Sequence, residues 1–586
     1  LTLFAGIVAR TPGASAIPEP LVAPWAGQLG GGGCDRLEID AGPGFSVLWV
    51  DTGGYPGGAR RGGAGSLSWL AGDPLLAGRA PVDGRALDFD RLHAVWAAGD
   101  ESLLRTARGA FCGVHLDTTQ RRLWLIADKL ALRPLYYAEL DEYVCFATSL
   151  RLLLRCPAIP RDGDLEGLVQ TVTFGGALGG RTAIAAVRCV VPAQVVELRL
   201  EGRQTREYWR WDRIESVDAD DDATCTDIRA AFGRAVRARL DPAGDVVSLL
   251  SGGLDSRCIV ACLHEEGARV HTIGFGPPGT ADHALARQVA EAFGTEHFAY
   301  SGDVPEFWSR LAAAHSSWLA ATGMARSPAP SGPGAGQVWS GEGGDRVLAP
   351  VNLTEEVIAG MRAGDPDRAI AHYLALERCH FPRRLVRRRY RDRLADLPGA
   401  GLRSAFEQYD GAEGGRRFHL YVLLEEARRN LRPHFEDFDR HRIELVMPFY
   451  DSDFVATVLR YPLDRLVRHR LYNRLMSFMP APAASVPWQA YPGSEPCPLP
   501  LPPGIRTQWE TWHTPEQQQE IRRRTLATAA TVTGADPFPG WLISRPVLRA
   551  AHVLLRIGVQ RYSHLFGSAL PFVSHPPRRD AMRAIP

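Results

Sequence analysis

The stretch Val247-Ser248-Leu249-Leu250-Ser251-Gly252-Gly253-Leu254-Asp255-Ser256 constrains this chain more than any other. It reads as a short apolar strand, a turn of two glycines and two serines, and the start of a helix through Arg257-Cys258-Ile259-Val260-Ala261-Cys262-Leu263. Backbone N–H groups freed of side-chain bulk and aimed by a helix N-terminus form an anion site. Ser251 and Ser256 add hydroxyls. Asp255 is the odd member, because a carboxylate beside a phosphate needs a cation such as Mg²⁺ between them. The spacing and lysine of a Walker A loop are absent.

The Ser-Gly-Gly-x-Asp-Ser stretch resembles the pyrophosphate loop of the N-type ATP pyrophosphatases. That resemblance implies ATP and Mg²⁺, cleavage between the α and β phosphates, and transfer of the AMP half to a carboxylate or carbonyl oxygen. Residues Ser251, Gly252, Gly253, Leu254, Asp255 and Ser256 would then hold the pyrophosphate. From about residue 211 helices alternate with short buried strands, as in a parallel sheet with crossover helices. Val270-His271-Thr272-Ile273-Gly274-Phe275 is a second strand, and 281–294 an amphipathic helix stopped by Gly294. In the pyrophosphatase fold the second strand borders adenine, which places the base near Leu249, Leu250, Gly274 and Phe275, at strand C-termini.

Gln337-Val338-Trp339-Ser340-Gly341-Glu342-Gly343-Gly344-Asp345 repeats the pattern of strand, glycine turn and carboxylate. It is similar to the Gly-Glu-Gly-(Ala/Gly)-Asp segment of asparagine synthetases. By that match Gly341 belongs to the nucleotide loop, Asp345 is the second Mg²⁺ ligand opposite Asp255, and Glu342 lies near the reacting amine as a base. Glu444-Leu445-Val446-Met447-Pro448-Phe449-Tyr450-Asp451 resembles the family's Glu-x-Arg-x-Pro-Phe-Leu-Asp, with Val446 at the arginine position. Arg470 and Arg474 fall where the family has a Lys and an Arg four residues apart. A further family lysine, which stabilises the acyl-adenylate and leaving group, has no counterpart in Val486-Pro487-Trp488-Gln489-Ala490-Tyr491; Lys129 is the only lysine in the chain. Arg470 or Arg474 is therefore expected to supply the positive charge, since a guanidinium clamps phosphate bidentately.

Residues 1–210 read as an α+β domain. Apolar runs at 4–8, 45–50, 113–116, 123–127 and 143–147 are separated by glycine-rich loops, and 100–107 has helical spacing. Gly109-Ala110-Phe111-Cys112-Gly113 and Asp128-Lys129-Leu130-Ala131-Leu132-Arg133-Pro134-Leu135-Tyr136-Tyr137 resemble the glutamine-hydrolysing Ntn-hydrolase domain of class B asparagine synthetases. There the nucleophile is an N-terminal cysteine before Gly-Ile, activated by its own amine. Ala5 precedes Gly6-Ile7 here, and the family's glutamine-holding Asn-Gly-Glu is missing, so the domain is expected to be inactive as a glutaminase. The fold expectation is thus α/β overall: an inactive Ntn-like domain at 1–210, an adenylating ATP-pyrophosphatase domain with a parallel sheet at 211–495, and a proline-rich connector with helices at 496–586. Those helices are expected at 515–527 and 546–560, the second with an apolar face of Val547, Leu548, Ala551, Val553, Leu554 and Leu555.

With 67 basic and 66 acidic residues the net charge is +1, which argues against nucleic acid or a membrane surface as partner. Short Arg runs at 383–389 are flanked by acids and read as solvated helix faces. The ten cysteines lack a C-x-x-C or metal pattern, and no apolar run approaches the ~20 residues of a membrane helix. A reducing, cytoplasmic setting is expected.

A synthetase without its own ammonia source needs another nucleophile, and an amine already on the substrate meets that need. The resemblance therefore implies ATP-dependent amide-bond formation by carboxylate adenylation and attack by an amine of the same molecule. Among relatives of this architecture the expectation falls on lasso peptide macrolactam cyclases, whose partners are a precursor peptide, a leader-binding protein and a leader peptidase. A small-molecule ligase, either of the β-lactam type or fed by free ammonia, and a non-catalytic ATP-binding scaffold are the alternatives. Substrate, ring size and oligomeric state are not encoded legibly.

Overall fold

The computed structural model describes residues 1–583 apart from 12, 31–35, 53, 64, 81–82, 200–201, 242–244, 301–336, 349, 437–442 and 508–514. Twelve strands fall in the first 210 residues: β1 (Thr2–Ala9), β2 (Glu38–Gly42), β3 (Phe45–Asp51), β4 (Arg60–Gly63), β5 (Ser66–Gly72), β6 (Phe111–Asp117), β7 (Arg122–Ala127), β8 (Tyr136–Glu139), β9 (Tyr143–Ala147), β10 (Arg188–Cys189), β11 (Gln194–Arg199) and β12 (Gly202–Glu207). They form two six-stranded sheets, β10-β8-β9-β1-β3-β2 and β12-β11-β7-β6-β5-β4, with antiparallel pairing throughout. The two-residue period of a strand assigns the faces. Phe4 and Val8 point into the space between the sheets, where they meet Trp69, Val114, Leu125 and Val196. Leu3, Ala5 and Ile7 point the other way, into a core that continues through the rest of the molecule. The outer face of the second sheet (Leu70, Trp124, Ile126) is covered by helix Gly84–Ala97 through Phe89, Leu92 and Trp96.

Among the described residues the second region holds five parallel strands: β13 (Val246–Leu249), β14 (Val270–Gly274), β15 (Glu296–Ala299), β16 (Gln337–Trp339) and β17 (Glu444–Val446), in the order β15-β14-β13-β16-β17. The chain steps outward from β13 in one direction through β14 and β15, then returns to β16 on the other side. That reversal makes β13 and β16 the switch point of the sheet, and open α/β sheets bind ligands at the strand C-termini there.

The antiparallel and parallel regions share one continuous core, from Leu3 through Trp488. A polar contact joins them too: the Arg133 guanidinium is ion-paired with Glu444 on β17, both nearly inaccessible, and Arg133 also lies over the Phe435 ring at 4.7 Å.

At the C-terminus helices span Pro515–Gly534, Arg545–Arg556 and His564–Ser574, so the first runs further than its pattern suggests and a third is added. The second stops at Arg556, before Gly558 at φ +98°. Leu548, Ala551 and Leu555 are its buried stripe, while Val553 is 61% exposed, so the apolar face is narrower than its sequence implies. These helices build a separate core with helix Leu165–Phe174 and with Leu385, Val386 and Leu394. No helix among the described residues is long and apolar enough to cross a membrane.

Candidate active site

Both glycine loops leave the sheet at its switch point. After β13 the Leu250 N–H is held by the Ile273 carbonyl at 2.8 Å, and the chain turns through Ser251-Gly252-Gly253 into helix Leu254–Glu265. The serines close this turn: Ser256 Oγ accepts from the Ser251 N–H at 3.0 Å, and Ser251 Oγ accepts from the Gly253 N–H at 3.2 Å. The Gly252 N–H donates to Asp282 Oδ1 at 3.3 Å, from the first turn of helix Ala281–Phe293.

The second loop starts where Ser340 N–H donates to the Val446 carbonyl (3.0 Å), and it then crosses directly over the first. A Cβ on Gly341 would sit 2.6 Å from the Ser256 nitrogen, and one on Gly344 would sit 2.4 Å from Asp255 Oδ1. Gly343 adopts φ +99° with its Hα side against the Tyr450 ring. The run of glycines is therefore a packing requirement: only residues without side chains let the two carboxylate loops touch.

This contact brings Asp255 and Asp345 together. The Asp345 N–H hydrogen-bonds the Asp255 carboxylate, and the Asp255 carboxyl is pushed well above the ordinary carboxylate range, by burial first and by the Asp345 charge second. Tyr472 works in the opposite direction, donating its hydroxyl to Asp255 Oδ1 at 2.5 Å. Glu342 stands on the same loop, one-third exposed, held by Arg346 Nη1 at 2.9 Å; burial raises its pKa and Arg346 opposes the rise. Arg346 also reaches Asp345 Oδ1 at 3.2 Å. Two acidic groups drawn together at this cost suit a divalent cation. Among the described residues no group of three or more His, Cys, Asp and Glu could hold a metal ion by itself. That fits Mg²⁺ carried in on phosphates, which takes one or two carboxylates and completes its shell with phosphate oxygens and water.

Leu249, Leu250, Gly274 and Phe275 border the C-terminal ends of β13 and β14. Leu249 and Phe275 pack on a small apolar cluster of Val247, Ile273, Tyr300, Val338 and Ile443. The Gly274 carbonyl accepts from the Tyr300 N–H at 2.8 Å, and the Phe275 and Tyr300 rings meet edge-on at 6.1 Å.

Two family models match the chain: asparagine synthase over residues 227–475, and the glutamine amidotransferase domain over residues 88–209. Residues 227–475 are therefore similar to the asparagine synthase family, a likeness that covers less than half of the chain. Relatives include asparagine synthetase [glutamine-hydrolyzing] 1 of Bacillus subtilis, 25% identical over 38% of this chain and 36% of that protein. Carboxyethyl-arginine beta-lactam-synthase of Streptomyces clavuligerus is 33% identical over 39% of this chain and 41% of its own length. The chain thus spans well under half the length of these relatives. Among solved structures, a glutamine phosphoribosylpyrophosphate amidotransferase from B. subtilis aligns over 52% of the chain and 91% of its own, at 12% identity and a TM-score of 0.24, too faint a likeness to carry an argument.

Within residues 227–475, not every expected side chain reaches the loops. Arg470 and Arg474 lie one turn apart on helix Arg470–Leu475, about half exposed, paired with Glu355 and Asp222 respectively. Residues i and i+4 share a face, and residue i+2 faces nearly opposite. Here the inward residue is Tyr472, which reaches Asp255. Both arginines thus lie on the outer side of this helix. Ala5, expected at the nucleophile position from the resemblance, is fully buried in mid-strand, opposite Leu48 and Ala147.

Three contributors escaped the sequence reading: Tyr472, Arg346 and Arg257. Arg257 follows the Ser-Gly-Gly-Leu-Asp-Ser stretch directly and carried its own signal, a long charged side chain immediately before the apolar run Cys258-Ile259-Val260-Ala261-Cys262-Leu263. It is completely buried, and burial lowers its pKa to about 10, which leaves it charged at neutral pH.

Proposed function

We propose that the chain is an ATP-dependent, AMP-forming carbon–nitrogen ligase that activates a carboxylate and joins it to an amine of the same molecule. The observation that carries this reading is the contact of two glycine loops at the switch point, which sets Asp255 beside Asp345. Asp255 and Asp345 would hold Mg²⁺, which when bound offsets phosphate charge. The 251–256 loop, with its serine hydroxyls and helix N-terminus, receives the pyrophosphate end. Leu249, Leu250, Gly274 and Phe275 offer the base an apolar border. Glu342, its basicity raised by burial, takes the proton of the attacking amine, and Arg346 fixes its position. Held in one site, the activated carboxyl and the amine react as an effectively unimolecular pair.

Within that class the reading is a lasso peptide macrolactam cyclase, working on a precursor peptide in the cytoplasm with a leader-binding protein and a leader peptidase. Ala5 before Gly6-Ile7 supports it, because a domain without a cysteine there would release no ammonia from glutamine, and an amine already on the substrate would serve in its place. The relative at 33% identity is named a β-lactam synthase, and a β-lactam is itself a cyclic amide. That name favours ring closure, and it also keeps a small amino acid as the second reading.

Mass spectrometry of the full chain with Mg·ATP and a linear core peptide tests the choice. AMP together with a peptide lighter by one water supports the cyclase. AMP without dehydration points to a small-molecule ligase. Absence of AMP with peptide and small amino acids alike favours a scaffold.

A further inference from the structure

Arg257 sits in the first turn of the helix behind the 251–256 loop. Among the described residues the groups acting on its charge are Cys258, Cys497 and Tyr472, none of them a carboxylate. A guanidinium has five N–H donors, and here all five end on backbone carbonyls. Nε reaches Gly253 (3.1 Å), Nη2 reaches Gly252 (3.1 Å) and Pro487 (2.9 Å), and Nη1 reaches Ala483 (3.0 Å) and Val486 (2.6 Å). The Trp488 ring closes the site at 5.6 Å.

In a planar trans peptide the C=O and the following N–H point in opposite directions. Drawing the Gly252 and Gly253 carbonyls toward Arg257 therefore turns the Gly253 and Leu254 N–H groups away from it, to the side where the exposed Ser251 hydroxyl lies. The same guanidinium ties the loop to Ala483, Val486 and Pro487. Of the other arginines around the loops, Arg346 is neutralised by Glu342 and Asp345, while Arg470 and Arg474 face outward. A buried cation without a counter-ion is costly on its own, and its field acts strongly on any anion in the adjacent loop.

We propose that Arg257 is the positioning residue of the phosphate site: it aims the loop N–H groups outward and supplies, one peptide unit behind them, the fixed positive charge that a departing pyrophosphate meets. The inference rests on the adenylating reading, and binding of two probes separates their failures. Calorimetry of the full chain with magnesium pyrophosphate and, separately, with AMP is the experiment. The parent is expected to bind both. Arg257→Met should weaken pyrophosphate at least about tenfold while leaving AMP within about twofold, with Arg257→Lys between. Unchanged pyrophosphate binding in Arg257→Met would overturn the proposal, as would equal loss of both ligands with a lowered melting temperature, the signature of mere structural support. Should Arg257→Met fail to fold, Arg257→Lys decides: pyrophosphate weakened about threefold or more with AMP unchanged supports the role, and parity with the parent ends it. A parent that binds AMP but not pyrophosphate overturns this inference alone; one that binds neither overturns the adenylating reading as well.

Discussion

At the scale of single residues, the site is decided by which way side chains leave short helices. Arg470, Tyr472 and Arg474 occupy one helix of six residues, and only the tyrosine reaches the loops. Replacing Arg470 and Arg474 together by alanine is expected to leave Mg·ATP binding within about twofold of the parent, because exposed ion pairs contribute little; a tenfold loss in a calorimetric titration would return them to the site. Glycines and acids were legible at this scale, since Ser-Gly-Gly-Leu-Asp-Ser and Gly-Glu-Gly-Gly-Asp each carry a local geometric requirement. The phase of the Arg470–Leu475 helix was not, because six residues are too few for apolar periodicity to fix a face. Arg257 was overlooked for a related reason. Its partners at 483–487 are more than two hundred residues away in the chain, and backbone carbonyls have no sequence signature.

At the scale of elements, the second glycine loop depends on a neighbouring helix. His419, in helix Gly414–Tyr421, is fully buried with Nε2 3.0 Å from the Arg346 carbonyl and Nδ1 3.0 Å from Arg416 Nη1. A carbonyl only accepts and a guanidinium only donates, so the ring is the neutral Nε2–H tautomer. Burial holds its pKa down to about 3, and buried His115 on β6 is held down to about 4. The unfolded chain takes up these protons near pH 6.5 and the folded one does not. Their stabilisation is therefore complete above about pH 6.5 and lost as pH falls toward 4, by about 1.4 kcal/mol per pH unit for each ring. A melting temperature that declines over this window, with the decline flattened in His419→Gln, is the expected outcome; Gln can keep both hydrogen bonds without titrating. An unchanged pH profile in that variant would refute the assignment. Strands written as near-continuous apolar runs, such as Phe45–Asp51 and Arg122–Ala127, could be read in advance. Their pairing could not, because β1 lies between β3 and β9, and β9 is more than a hundred residues away in the sequence.

At the scale of the whole molecule, the antiparallel region is a wall of the same body as the parallel-sheet region. Its β1 side chains enter the shared core, and Arg133 meets Glu444 on the strand that carries the second loop's anchor, Val446. Both partners come from segments singled out by sequence, yet nothing local announced that they meet. Glu444→Gln should leave Arg133 buried and unpaired and destabilise the chain by about 3–5 kcal/mol; an unaltered thermal transition would show that the two regions are held by apolar packing alone. The central claim is that two glycine loops at one switch point form a single nucleotide–metal site. Its most direct test is calorimetric titration with α,β-methylene-ATP, with and without Mg²⁺, of the parent and of Asp255→Asn. The account predicts Mg²⁺-dependent binding to the parent and at least about a hundredfold weaker binding to the variant. Equal binding by the two proteins, or binding to the parent that ignores Mg²⁺, would contradict it.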